Sequence, residues 1–185
     1  MKKKKEKIKL YSRYPATSIL IYNGTTIVHY ALGGMGIILG YDFNWTGLPF
    51  GLLYIVFAFV QMYILMPYMV CSNCVYYKIK NALCISGLNL VSRKIAKEGN
   101  VKDFPKRGEG IFCHNHLYMA SLFLPIIAMI PALIINFSLI LLMLFMAVTG
   151  LLLYRFFVVF PKTACIHCRA KYDCPNAKAM GLSET

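Results

Sequence analysis

The sequence predicts an all-α integral membrane protein, with four transmembrane helices and a small cytoplasmic cap built to bind metal through Cys and His. Three observations carry this prediction. Of the 185 residues, 58% are apolar and 15% charged, against about 45–50% and about 25% in soluble domains. The few charges are excluded from long stretches of chain. The seven Cys fall in two groups that flank those stretches.

The elements follow in order. Residues 1–14 form a basic segment containing Lys2, Lys3, Lys4, Lys5, Lys7, Lys9 and Arg13. It reads as a retained cytoplasmic anchor, because the apolar run after it is too long for a signal peptide and lacks a small-residue cleavage site. Residues 15–41 carry no Asp, Glu, Lys or Arg and exceed the ~20 residues needed to cross the bilayer core. They form the first expected span.

This span is interrupted by Asn23, Thr25, Thr26 and His29. An ionisable side chain inside a span suggests function. The expected state of His29 is a neutral imidazole hydrogen-bonded to a neighbouring helix, the alternative a contact to haem or quinone. Haem held by two His is disfavoured, since no second His lies within an expected span. Gly33, Gly34, Gly36 and Gly40 follow, with GxxxG spacing between Gly36 and Gly40, and small residues of this kind let helices approach closely.

The second span covers residues 48–70, and residues 71–116 form a Cys-rich loop. The next uncharged run, 110–154, is about twice the bilayer thickness at 1.5 Å per residue, so it must fold back. Asn136 and Ser138 mark the reversal, with Pro131 just before them. The third and fourth spans are therefore 117–135 and 137–160, either crossing twice or forming a re-entrant hairpin. Residues 161–185 are a Cys-rich tail.

All 20 Lys and Arg fall on one side of this arrangement. Besides the N-terminal set they are Lys78, Lys80, Arg93, Lys94, Lys97, Lys102, Lys106 and Arg107 in the loop, and Arg155, Lys162, Arg169, Lys171 and Lys178 at or after the end of the fourth span. The connections at 42–47 and at Asn136 have none. The positive-inside rule places the basic side, both termini and every Cys in the cytoplasm. The net charge of +13 is then a belt facing anionic headgroups, and with no nucleic-acid motif beside it a nucleic-acid partner is excluded.

Cytoplasmic thiols stay reduced, and an odd Cys count does not close into disulfides. Metal ligation is therefore expected. Cys71, Cys74, Cys84 and Cys113 make one set in the loop; Cys165, Cys168 and Cys174 make a second in the tail, completed by His167, His114 or His116. Each set opens with C-x2-C, which turns two thiolates toward one tetrahedral ion or toward an iron–sulfur cluster. Cys174-Pro175 has the ending of a bacterial ferredoxin run, but the remaining spacing is absent. One or two zinc ions knitting loop and tail together is the favoured expectation, because such polar segments lack an apolar core of their own. Iron–sulfur is the alternative.

Residues 87–98, with Leu88, Val91 and Ile95 on one face and Gly99 as a stop, predict a short helix lying on the membrane surface or packed on the cap. Met62, Met66 and Met69 suit gap filling better than copper binding. Asn115-His116 matches the start of the NHxxxxD motif of phospholipid acyltransferases, but Ser121 stands where the orienting Asp belongs, so a general base lacks its partner. A transporter is disfavoured by the lack of acids and polar groups in the later spans. The expected role is a non-catalytic structural or accessory subunit of a larger membrane assembly, in contact with lipid and with partner subunits. The contrasting expectation is an electron-transfer subunit whose cytoplasmic iron–sulfur centres exchange electrons with a membrane quinone, haem or partner.

Overall fold

The computed structural model describes residues 8–41, 45–110 and 113–183. Lys2, Lys3, Lys4, Lys5 and Lys7 of the expected basic segment, and Asp42 and Asn44 of the first connection, lie outside the described residues.

The described chain is helical, with two isolated bridge pairs in place of a sheet. Helix α1 is Ala16–Gly40. Helix α2, Gly47–Val60, continues without a break through a π-helical stretch, Gln61–Val70, and a last 3-10 turn to Asn73. Two short helices follow, α3 (Val75–Lys78) and α4 (Leu88–Ile95). Helix α5 is His114–Ile135. Helix α6, Leu139–Tyr154, again continues into a π-helical stretch, Arg155–Ala164, and α7 (Pro175–Ala179) ends the order.

Three of these helices are long and apolar enough to cross a membrane: Gly47–Asn73, His114–Ile135 and Leu139–Ala164, with mean hydropathies of 2.0, 2.3 and 2.2. At 1.5 Å per residue even the shortest matches a core of about 30 Å. The uncharged run 110–154 is therefore divided between two full-length helices joined by a tight turn at 136–138. Helix α1 is as long, at 25 residues, but less apolar. Its hydroxyls are absorbed by its own backbone: Thr25 and Thr26 donate to Ile21 O (2.8 Å) and Tyr22 O (2.6 Å), which is how a helix tolerates such residues away from water.

Helix α1 packs against α2, α5 and α6, and its glycines make that possible. A Cβ on Gly33 would lie 2.8 Å from Pro125 Cβ, one on Gly40 2.6 Å from Ala132 Cβ, and those on Gly34 and Gly36 would run into Ile55 and Met129. The glycine face thus meets α2 on one side and α5 on the other. Tyr30, Tyr54, Met62, Leu122 and Val159 fill the bundle interior. The outward faces carry exposed Leu20, Val28, Leu53, Val56, Ile127, Ile134, Met146 and Phe157, an apolar girdle that water would not tolerate on this scale.

Four boundaries differ from the expected ones. The second span runs on to Asn73, so Cys71 sits on the helix rather than in the loop. The third starts at His114, putting His114 and His116 on its first turn, because the Cys113 thiol accepts from His116 N (3.4 Å) and caps the helix. The fourth continues to Ala164, which leaves Arg155 inside the bundle instead of at its end. Finally, α4 stops at Ile95 because Ala96 is extended, held by Tyr77 Oη (2.9 Å); Gly99 is no stop and docks on Ser72 O through its N–H (3.1 Å).

Helix α4 is turned so that Asn89 and Ser92 face inward while Leu90, Val91 and Ile95 are exposed. Asn89 bonds Ala82 O (2.9 Å) and Cys84 N (3.1 Å). Arg93 donates to the carbonyls of Tyr76, Tyr77 and Ile79 at 2.6–2.9 Å, a cation closing the C-terminus of α3. Leu88, the first residue of the expected stripe, is buried in the core, so the stripe is divided between the interior and the outer surface.

Candidate functional site: a cysteine-lined cavity

The ends of the second and fourth long helices share a pattern in sequence and in backbone. Each becomes π-helical for ten residues, contains a proline (Pro67, Pro161) that lacks an N–H for the regular ladder, and delivers a C-x2-C pair that begins four residues later. The strings are QMYILMPYMVCSNC and RFFVVFPKTACIHC. Extended π-helical turns are rare and concentrate at functional sites. The two helices run in the same direction and leave both pairs at the end of the bundle that carries the N-terminal segment.

Residues 8–14 thread between these halves and join them. Tyr11 N bonds His167 O (2.9 Å) on the tail side, while Leu83 N bonds Ser12 O (3.1 Å) and Tyr14 N bonds Leu83 O (2.9 Å) on the loop side. The Tyr14 hydroxyl donates to Ala164 O (2.5 Å), and that of Tyr76 to Tyr11 O (2.6 Å). Tyr14 and Tyr76 are buried, each about 6.3 Å from the other between ring centroids. Burial, and then the neighbouring Cys168, push both phenols above their usual range. Tyr76 also feels Cys84 and Cys74, so it stands among thiols from both halves.

Inside this end lies a cavity of about 300 Å³. Six of the seven Cys line it: Cys71, Cys74 and Cys84 from the loop side, Cys165, Cys168 and Cys174 from the tail side, together with His114. The remaining wall is mostly aromatic and aliphatic, including Tyr22, Met66, Tyr118, Phe156 and Phe160. Residues of the expected loop set and of the expected tail set thus border one cavity. Cys113 is outside it, on a second cavity of about 390 Å³ with Met69 and Asp103. His116 is also outside, its Nδ1 at 3.1 Å from Gly110 O. His167 instead packs on Tyr11 (4.7 Å between centroids) and bonds Lys9 O (2.9 Å). Among the described residues, no three His, Cys, Asp or Glu side chains converge closely enough to form a ready metal site.

The other expected site residue, His29, is deep in the bundle. Its Nε2 is 3.0 Å from Leu122 O on α5, and its Nδ1 has no hydrogen-bond partner among the described residues. Ser121 is buried beside it, bonded to Tyr30 Oη (2.9 Å) and Tyr118 O (2.7 Å), far from any role with His116.

One functional group is hidden in the sequence reading. Arg155, counted there with the cytoplasmic belt, is 1% exposed. Its guanidinium carbon lies 4.7 Å from the Tyr22 ring centroid, 5.3 Å from Phe160 and 5.6 Å from Tyr118. Nη1 donates to Thr26 Oγ1, while among the described residues Nε and Nη2 have no close hydrogen-bond acceptor. Its counterpart in the other half is Gln61, fully buried, with neither side-chain amide atom hydrogen-bonded among the described residues. The signal that finds both is the repeated P-x3-C-x2-C string, read back to the start of each π-helical stretch. No protein-family model, curated protein or solved structure matches the chain, so the cavity, its six cysteines and its buried arginine are what speak for its function.

Proposed function

We propose that the chain is an integral membrane subunit whose cysteine-lined cavity holds a thiolate-ligated metal centre on the cytoplasmic side. The observation that supports this reading is the gathering of six Cys from two distant stretches around one enclosure. Helix α1 acts as a fourth span, since it carries its own exposed apolar residues in the same girdle as the others. The side follows from the lysines and arginines that surround this end.

Cys71, Cys74, Cys165 and Cys168 are the ligands of choice, being equivalent in the two halves; Cys84, Cys174 and His114 border the same space. Drawing the thiolates onto a metal orders the cap, and that coupling of ligation to folding is a general property of such sites. Two readings share this donor set: structural zinc, closed around one ion by four thiolates, and an iron–sulfur cluster, for which a cavity of about 300 Å³ leaves room. Bound there, such a cluster would supply one-electron chemistry within reach of a membrane quinone or a partner subunit.

The test is metal and sulfide analysis with electron paramagnetic resonance on the full chain purified anaerobically in detergent. Iron with acid-labile sulfide, and a paramagnetic signal on reduction, is the expected result. Stoichiometric zinc without a chromophore would replace the redox reading by the structural one. Protein that holds neither, as purified or after reconstitution, overturns both. Placement is checked by Trp45→Cys: the thiol should react with an impermeant maleimide added outside intact cells, and labelling only after lysis would reverse the topology.

A further inference from the structure

A buried guanidinium needs negative charge, and the bundle contains no carboxylate to supply it. No Asp or Glu occurs in Ala16–Gly40, Gly47–Asn73, His114–Ile135 or Leu139–Ala164. Arg155 nevertheless lies fully buried there, with Nε and Nη2 lacking a close hydrogen-bond acceptor among the described residues. Aromatic faces offset part of the cost of burying it, but a full charge left without an anion in such surroundings remains expensive. The three rings that box it, Tyr22, Tyr118 and Phe160, are themselves walls of the cysteine-lined cavity. The guanidinium and the cavity are therefore separated by a single aromatic layer, across which charge is weakly screened.

We infer that Arg155 is the countercharge of the cavity, holding an anionic thiolate–metal unit in place from the membrane side. This inference rests on the metal reading above and adds to it the residue that sets the charge the site accepts. A divalent ion with four thiolates is a dianion. Removing the cation one layer beneath it weakens its binding, whereas lysine at the same position preserves it. Arg155 touches neither ligand nor metal and acts as a positioning charge. Lys171, buried at the outer side, is kept unchanged in every variant.

The experiment uses the metal-free, reduced full-length protein in detergent micelles, titrated with Co²⁺ and followed by thiolate-to-cobalt absorption. Wild type, R155K, R155Q and T26D are compared, with circular dichroism to confirm helicity. T26D gives the guanidinium a carboxylate partner at its existing contact, so it removes the countercharge without removing the arginine. R155Q and T26D should bind Co²⁺ at least about tenfold more weakly, and R155K within about threefold of wild type. Should R155Q fail to fold, T26D against R155K decides. Equal affinity in wild type, R155Q and T26D overturns the inference while leaving the metal site standing. R155K as weak as R155Q reduces Arg155 to packing and also overturns it. A wild type with no cobalt band overturns this inference, while the metal reading stands or falls separately with the iron, sulfide and zinc analysis above.

Discussion

The end of the second long helix and the end of the fourth are built to one plan, yet they differ at one decisive residue. Both leave the α-helical path at a buried polar side chain, run π-helically past a proline and end in C-x2-C. Met66 and Phe160, and Val70 and Ala164, occupy matching places on the wall of the same cavity. At the point of departure, however, one half has neutral Gln61 and the other cationic Arg155. The shared features build matching walls; of the many positions at which the two strings differ, this is the one that puts a buried cation beside the cavity. Burying Gln61 without hydrogen-bond partners costs a few hydrogen bonds, whereas burying Arg155 without an acid costs more, because a full charge is desolvated.

That comparison can be broken at its strongest point by removing one C-x2-C pair at a time. If both halves serve one centre, Cys71→Ser with Cys74→Ser, and Cys165→Ser with Cys168→Ser, should each abolish metal binding completely, as measured by metal per protein. Retention of half the metal in each would mean two independent sites. The asymmetry is sharpened by Gln61→Arg, which places a second unpaired cation in the bundle and should destabilise the protein by about 3 kcal/mol or more in thermal or denaturant unfolding. Gln61→Met, of similar volume and without unsatisfied polar atoms, should stay within about 1 kcal/mol of wild type or exceed it.

The docking of the halves on each other is probed at Gly36, whose missing side chain leaves room for Met129. Gly36→Val should cost about 1–3 kcal/mol through overpacking. Gly150→Ala, where nothing lies within 4 Å, should be neutral or stabilise by about 0.5–1 kcal/mol. The smallest effect is expected from the thread that ties the halves at the cap. Tyr14→Phe removes the bond to Ala164 O and should cost about 1 kcal/mol, visible as a lower melting temperature with the bundle helicity unchanged.

Much of the bundle was legible because membrane spans are declared by the absence of charge, a property of each segment alone. The three apolar helices, the reversal near Asn136 and the tight glycine face could all be read in this way. Helix ends were less legible. Cys113 caps α5, and the π-helical stretches carry the other helices past Pro67 and Pro161, features that hydropathy does not register. For α4 the apolar stripe was visible, but whether it faced inward depended on Asn89 and Arg93 finding carbonyls on α3 and its turn.

By itself the sequence determined a greasy bundle with its basic residues at one end and its thiols beside them, because composition along the chain fixes which parts can meet lipid. Only the tertiary structure decided which thiols share a space. Cys113 is close in sequence to the candidate ligands and is excluded, while Cys74 and Cys168, from opposite halves, both neighbour Tyr76. It also separated Arg155 from the other cations, since burial is a property of neighbours and not of the residue. Tyr22, Tyr118 and Phe160 come from three different helices, and only their packing turns a charge that reads as surface into one that must be answered inside.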